Sequence, residues 1–277
     1  MKLLVYIPSY NRAASLLRQI RMLKAYAGPG ELEVLVQDNC SNQTSYDEVR
    51  RFCAESNFAY IRNPCNIGPN PNILAGFLYC DRADYIWLLS DDDLLKPGAL
   101  NRVFDLLDRH TGCDLVYLTH NLQQQEEVVE LDQAQLLQKV GDGLGLISQV
   151  IYRSAKVMPY IRAGYDNLIS CFPHLAILFE VARNQNIIVC LTGKGVFFSD
   201  EHLPPAEPLS YVYSFFGYTL LANNLKEELR RDFLTAWLQV SQLEAIKEYS
   251  QCQIHAAASF ALLRQYVPGF SGPERGD

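Results

Sequence analysis

The stretch Tyr85-Ile86-Trp87-Leu88-Leu89-Ser90-Asp91-Asp92-Asp93 runs five apolar residues almost directly into three consecutive aspartates. An unbroken apolar run of that length reads as a strand buried on both faces, as the strands of parallel sheets are. The carboxylates then sit at its carboxyl end. The same layout recurs upstream. Leu3–Ile7 is a second apolar run and ends at Pro8-Ser9-Tyr10-Asn11-Arg12. Glu33–Gln37 ends at Asp38-Asn39, and Phe58–Ile61 leads to Asn66-Ile67-Gly68.

Helical signals separate these runs. Leu16, Ile20, Leu23 and Ala27 recur at helical spacing before Gly28-Pro29-Gly30, which should stop the helix. Ser45 with Glu48 resembles a capping box opening a short helix, and a third helix is predicted after Pro71. Pro97-Gly98 opens another, and Leu115–Leu118 makes a fifth strand. Strand and helix alternating in this way imply an α/β fold, with a mostly parallel sheet flanked by helices. Ligands of such sheets bind beyond the carboxyl ends of the strands, where all four polar clusters lie.

Beyond residue 120 the alternation lapses into a Gln/Glu-rich connection. Leu146–Tyr152 reads as a strand, Leu175–Val181 as a helix and Ile187–Leu191 as a strand. After Pro204-Pro205 the pattern is helical, through Tyr211–Leu221, Leu225–Leu243 and Ala256–Tyr266. The expected organisation is therefore a ligand-binding part over 1–120, a second part of the same domain over 121–203, and a helical C-terminal extension over 204–277.

Composition narrows the function. A chain of 277 residues can bury a large core without disulfides or structural metals. The net charge of -7 argues against a phosphate-backbone partner, so no nucleic acid is expected. Its strongest basic pair, Arg230-Arg231, is flanked by Glu227, Glu228 and Asp232 and reads as a solvated helix face. The eight cysteines form no C-x-x-C pair, and the apolar start of the chain is too short for a leader or a membrane span. A cytoplasmic protein follows, with at most peripheral contact with the inner face of the membrane.

Three adjacent aspartates repel one another unless a cation or wide solvation relieves them. Magnesium and manganese favour hard carboxylate oxygens and commonly bind one or two of them together with substrate phosphates. The other reading is a solvated acidic turn, with Asp93 capping a helix.

The context resembles family 2 glycosyltransferases, enzymes of the GT-A fold that move a sugar from a nucleotide diphosphate. The matching stretches are Ile7-Pro8-Ser9-Tyr10-Asn11-Arg12, Val36-Gln37-Asp38-Asn39-Cys40-Ser41, Asn66-Ile67-Gly68 with Asn72, and Trp87 to Asp93 before Lys96-Pro97. Among such enzymes the sequence is most similar to those building bacterial surface polysaccharides. The resemblance implies that Pro8 and Tyr10 floor the nucleotide base and that Arg12 lies near base or diphosphate. It implies that Asp38 bonds base or ribose, and that Asn66, Gly68 and Asn72 also line the donor site. Asp92 would ligate Mn2+ or Mg2+, with Asp93 and His202 beside it and Asp91 on the ribose or the metal. Ser90 replaces the first acidic residue of the usual Asp-x-Asp-Asp pattern.

The resemblance also bears on the second half. His174 takes the place where related enzymes carry a base carboxylate, which makes it the expected general base, with Asp166, Asp200 and Glu201 as rivals. The aromatic run Tyr211–Tyr218 would seat the tail, pair two copies as a homodimer, or touch a lipid-linked glycan acceptor. The predicted activity is inverting transfer of a hexose or deoxyhexose from a nucleotide diphosphate sugar to a glycan hydroxyl. Competing readings are a sugar-nucleotide pyrophosphorylase and a nucleotide-sugar-binding module without catalysis.

Overall fold

The computed structural model describes residues 1–26, 30–42, 44–119, 125–140, 144–193, 196–197, 217, 219–238 and 264–266. An eight-stranded sheet carries the chain: β1 (Lys2–Ser9), β2 (Glu31–Asp38), β3 (Ala59–Arg62), β4 (Tyr85–Leu88), β5 (Leu115–Leu118), β6 (Glu127–Leu131), β7 (Val150–Arg153) and β8 (Ile187–Thr192). Their order across the sheet is β3-β2-β1-β4-β7-β5-β8-β6. The first four are mutually parallel and β5 pairs parallel with β8, while β7 lies antiparallel between β4 and β5 and β6 antiparallel on β8.

The expected parallel sheet is thus present but mixed. β7 comes later in the chain than both neighbours and fills the gap between β4 and β5. β6 and the helix after it were not read from the sequence. Only Leu131 of Glu127–Leu131 is buried, so the strand shows weak alternation rather than an apolar run.

The helices are α1 (Ala13–Lys24), α2 (Tyr46–Ser56), α3 (Pro69–Leu74), α4 (Ala99–Arg109), α5 (Gln133–Val140), α6 (Ser154–Val157), α7 (Ile161–Asp166), α8 (Pro173–Asn184) and α9 (Glu227–Leu238). Alternation along the strands divides the core into two layers. Leu3, Val5 and Ile7 of β1 and Tyr85 and Trp87 of β4 pack with α1, α2 and α4. Leu4, Tyr6, Ile86 and Leu88 face the other way, in a layer with Leu74, Phe77, α8 and the middle of α9 (Phe233 and Leu234). Gly76 is required there, because a Cβ would stand 2.6 Å from the Tyr6 ring.

Two sequence expectations need correction. Ser45 precedes α2, but its side chain makes no capping bond, so the capping box does not form. α1 ends at Lys24 rather than running to Ala27; Ala27, Gly28 and Pro29 lie outside the described residues. No helix among the described residues is long and apolar enough to cross a membrane. Most of the expected aromatic tail, Tyr211–Phe216 and Tyr218, falls outside them. So do Asp200, Glu201 and His202.

Candidate active site

The carboxyl ends of the first four strands meet in one place. Register sets Ser9 beside Asp38 and Asp38 beside Arg62, while Leu89 donates its backbone N–H to the Tyr6 carbonyl at 2.9 Å and carries the chain into the acidic turn. A cleft of about 420 Å³ opens there. Pro8, Ser9, Tyr10, Arg12, Asn39, Asn66, Gly68, Asn72, Ser90 and Asp91 line it. Most of the residues expected to bind a donor therefore share one wall.

At the β1/β4 corner, Asp91 is 4% exposed. It accepts a hydrogen bond from the Ser9 hydroxyl at 2.6 Å and one from the Arg12 guanidinium at 3.3 Å. The same guanidinium nitrogen pairs with Asp92, whose other oxygen takes the Ser90 hydroxyl at 2.5 Å. Ser90 thus serves the acidic turn as a donor. Burial pushes the Asp91 carboxyl above its usual range; Ser9 and Arg12 oppose that, and the neighbouring charge of Asp92 adds to it. From α1, the completely buried Gln19 donates its amide to the carbonyls of Ser90 (2.6 Å) and Asp93 (2.8 Å). The turn is also tied to the lead-in of β7: Ser148 accepts from the Trp87 indole at 2.7 Å and bonds the Ser90 N–H at 2.8 Å.

The β2/β3 corner is built differently. Asp38 is fully buried, and one oxygen accepts the Ser41 N–H at 2.8 Å. The other accepts the Tyr60 hydroxyl and the Arg62 guanidinium, both at 2.6 Å. Burial works to raise this carboxyl, but the donors from Ser41, Tyr60 and Arg62 outweigh it and hold the group below its usual range. Asp38 does not line the cleft. It organises the 39–42 loop beneath Asn39.

Asn39 belongs to a chain of amides. It donates to Asn66 (2.8 Å) and to the Gly68 carbonyl (3.0 Å), and accepts from Asn63 (3.0 Å). Asn63 also bonds Asn72 (2.9 Å) and accepts from Gln37 (2.6 Å). Tyr6 donates to the Asn72 carbonyl at 2.5 Å. Gly68 stands at φ +85°, a conformation that side chains disfavour, and begins α3 there. Tyr10 is 41% exposed at the mouth, free to offer its ring face.

The expected base is corrected by its burial. His174 is 1% exposed inside the first turn of α8, packed edge-on to Phe172. Neither ring nitrogen has a hydrogen-bond partner among the described residues. Burial pulls its pKa down to about 4; the backbone of Leu144 and Gly145, close to the ring but outside hydrogen-bond geometry, acts the other way without offsetting it. An imidazole sealed in this way does not meet an acceptor hydroxyl. Asp166 is exposed at the end of α7 and lies 3.4 Å from Arg162. The turn after it reaches the cleft wall, since Asn70 of α3 donates to the Leu168 carbonyl at 2.7 Å.

Among the described residues no three His, Cys, Asp or Glu side chains gather as a metal cage. The donor set nevertheless suits Mn2+ or Mg2+. Asp91 and Asp92 already bracket a cationic nitrogen, and a hard divalent ion completes such a pair with substrate phosphates and water. Sequence reading missed Gln19, Asn63, Tyr60 and Arg62, and gave Ser9, though part of the first strand-end cluster, no role of its own. Their partners lie 9 to 82 residues away, so no local pattern marks them.

A nucleotide-sized cleft at the carboxyl edge of this mixed sheet defines a GT-A-type α/β fold. Residues 4–133, a little under half of the chain, match the family described as glycosyl transferase family 2. The uncharacterized glycosyltransferase MG060 homolog of Mycoplasma pneumoniae is 31% identical over 120 residues, 42% of this chain and 40% of the relative. The match thus spans less than half of that relative. S. aureus TarS 1-349 in complex with UDP shares the fold at TM-score 0.67 and 17% identity, over 97% of this chain and 81% of that one. The mannosyltransferase PcManGT of Pyrobaculum calidifontis, in complex with GDP-Man and Mn2+, gives 0.55 and 13%, over 98% and 76%.

Proposed function

We propose that the chain is a metal-dependent glycosyltransferase that moves a hexose or deoxyhexose from a nucleotide diphosphate sugar to a glycan hydroxyl, with inversion, in bacterial polysaccharide synthesis. The carrying observation is the convergence of Tyr10, Arg12, Asn39, Asn72 and Asp91 on one cleft of about 420 Å³, within the usual range for small-ligand sites. The donor-binding part is 1–120, the acceptor side 121–203, and the extension 204–277.

In this reading the Tyr10 ring floors the base, and the amide chain holds Asn39 and Gly68 against the nucleoside. Asp38 acts from below, shaping the loop. Arg12 faces the diphosphate. Asp91 and Asp92, with Asp93 and His202 as further candidates, would hold Mn2+ or Mg2+, which stabilises the charge of a diphosphate leaving group. Asp166 replaces His174 as the base, because it is the exposed carboxylate beside α3; Asp200 and Glu201 remain its rivals.

Thermal unfolding with UDP and GDP, each with and without Mn2+, tests the reading, since a ligand of the folded state raises its apparent stability. Stabilisation by one nucleotide and enhancement by Mn2+ are expected. No shift with any nucleoside diphosphate would overturn the donor assignment. Donor binding without transfer to any acceptor would favour a binding module.

A further inference from the structure

The Arg12 guanidinium stands where a cation between Asp91 and Asp92 would stand. One nitrogen contacts an oxygen of each carboxylate. Its backbone is pinned: the N–H donates to the Tyr46 hydroxyl at 3.1 Å, and the carbonyl accepts from Ser15 and Leu16. The side chain is not pinned, being 55% exposed and part of the cleft wall. It can leave the carboxylates for the cleft by rotating its own torsions, with no change in α1 or the sheet.

The two carboxylates cannot do without a cation equally well. The Asp92 side chain is 45% exposed and water can serve it, whereas that of Asp91 is buried. Beyond Arg12, Asp91 has the Ser9 hydroxyl, a neutral donor. A guanidinium is also a good partner for phosphate oxygens, in the forked geometry of its donors.

Resting on the donor and metal reading above, we propose that Arg12 is an internal counter-ion that competes with the divalent metal for Asp91 and Asp92. It gives up this position to the metal when a nucleoside diphosphate offers its guanidinium another anion. The apo site is thereby kept paired, and metal and nucleotide bind with positive coupling through one mobile side chain.

The test titrates Mn2+ into the intact protein, by electron paramagnetic resonance or calorimetry, alone and with UDP or GDP. Parent, Arg12→Gln and Arg12→Lys are compared. For Arg12→Gln, affinity for Mn2+ alone should rise about tenfold or more, and the gain in Mn2+ affinity on adding nucleotide should shrink by a similar factor, within the usual range of coupling. Arg12→Lys keeps a charge beside Asp91 and should stay near the parent. A residue that only contacts nucleotide would weaken nucleotide binding and leave Mn2+ alone unchanged. That result, with Mn2+ taken up normally in the ternary complex, overturns the proposal while sparing the metal reading. If no protein takes up Mn2+ even with either nucleotide, the metal reading fails and the competition fails with it.

Discussion

Two buried aspartates stand at or just beyond strand ends, Asp38 beneath the cleft and Asp91 in its lining, and their surroundings push them in opposite directions. Asp38 has three donors and is held below its usual pKa; Asp91 has two, one of them long, and is held above it. The first corner is structurally complete, and its charge is stabilised by the fold. The second keeps a charge that burial disfavours and the present donors do not fully offset. The difference teaches where binding has room to act. A cation arriving at Asp91 displaces only the long contact of a largely exposed Arg12 and relieves a penalty, while one arriving at Asp38 would have to displace the short bonds of Tyr60 and Arg62.

The largest expected effect breaks the complete corner. Asp38→Ala strips Ser41, Tyr60 and Arg62 of their acceptor. Loss of a buried, charge-assisted network costs about 3–5 kcal/mol, and less here because Arg62 is 42% exposed, so we expect about 2–3 kcal/mol by urea unfolding. The pH dependence gives its sign. A depressed folded-state pKa contributes stability above the unfolded value, near 4, which is lost as pH falls through the folded value. Asp38→Asn should flatten that acid-side loss; an unchanged slope would show that Asp38 is not the source.

A smaller effect reaches the second corner from behind. Gln19→Leu leaves the carbonyls of Ser90 and Asp93 without their donor, at about 1–3 kcal/mol. Nucleotide-linked Mn2+ affinity should fall as well, because the acidic turn loosens. Stability loss with unaltered metal affinity would make Gln19 a plain core residue.

The smallest effect has the opposite sign. A carboxyl with a raised folded pKa is most favourable below its unfolded value and costs stability as pH rises through the folded one. Asp91→Asn should therefore stabilise the ligand-free protein at neutral pH, by roughly 0.5–2 kcal/mol as is common when binding sites are neutralised. The gain should vanish in acid. A lower melting temperature at pH 7 would show that Ser9 and Arg12 already satisfy the charge.

β1 and β4 were legible in the sequence because they are buried on both faces and read as apolar runs ending in polar residues, while β2, and β3 with no buried residue, were placed by the polar clusters that follow them. Asp91, Arg12, Asn72 and Gly68 were legible through motif order, and they do share the cleft. His174 was misplaced by following the same alignment, although its neighbours Leu175 to Phe179 already pointed to the core. Gln19 and Asn63 could not be read, since a buried amide carries no periodic signal and its partners are set by topology. The antiparallel setting of β7 was equally hidden, because an apolar strand of four residues does not declare its direction.

β7 has a consequence for how the chain comes into being. During synthesis β4 and β5 are complete by residue 118, yet the strand that separates them starts at residue 150. Until it emerges, the inner edges of both offer unpaired N–H and C=O groups to any other strand within reach. The acidic turn waits as well, because Ser148 holds Trp87 and Ser90. A fragment ending at residue 133, where the family match ends, contains nearly every residue lining the cleft but leaves β4 open on one side. It should aggregate rather than stay soluble, so the stretch that carries the family match is shorter than the stretch that can fold.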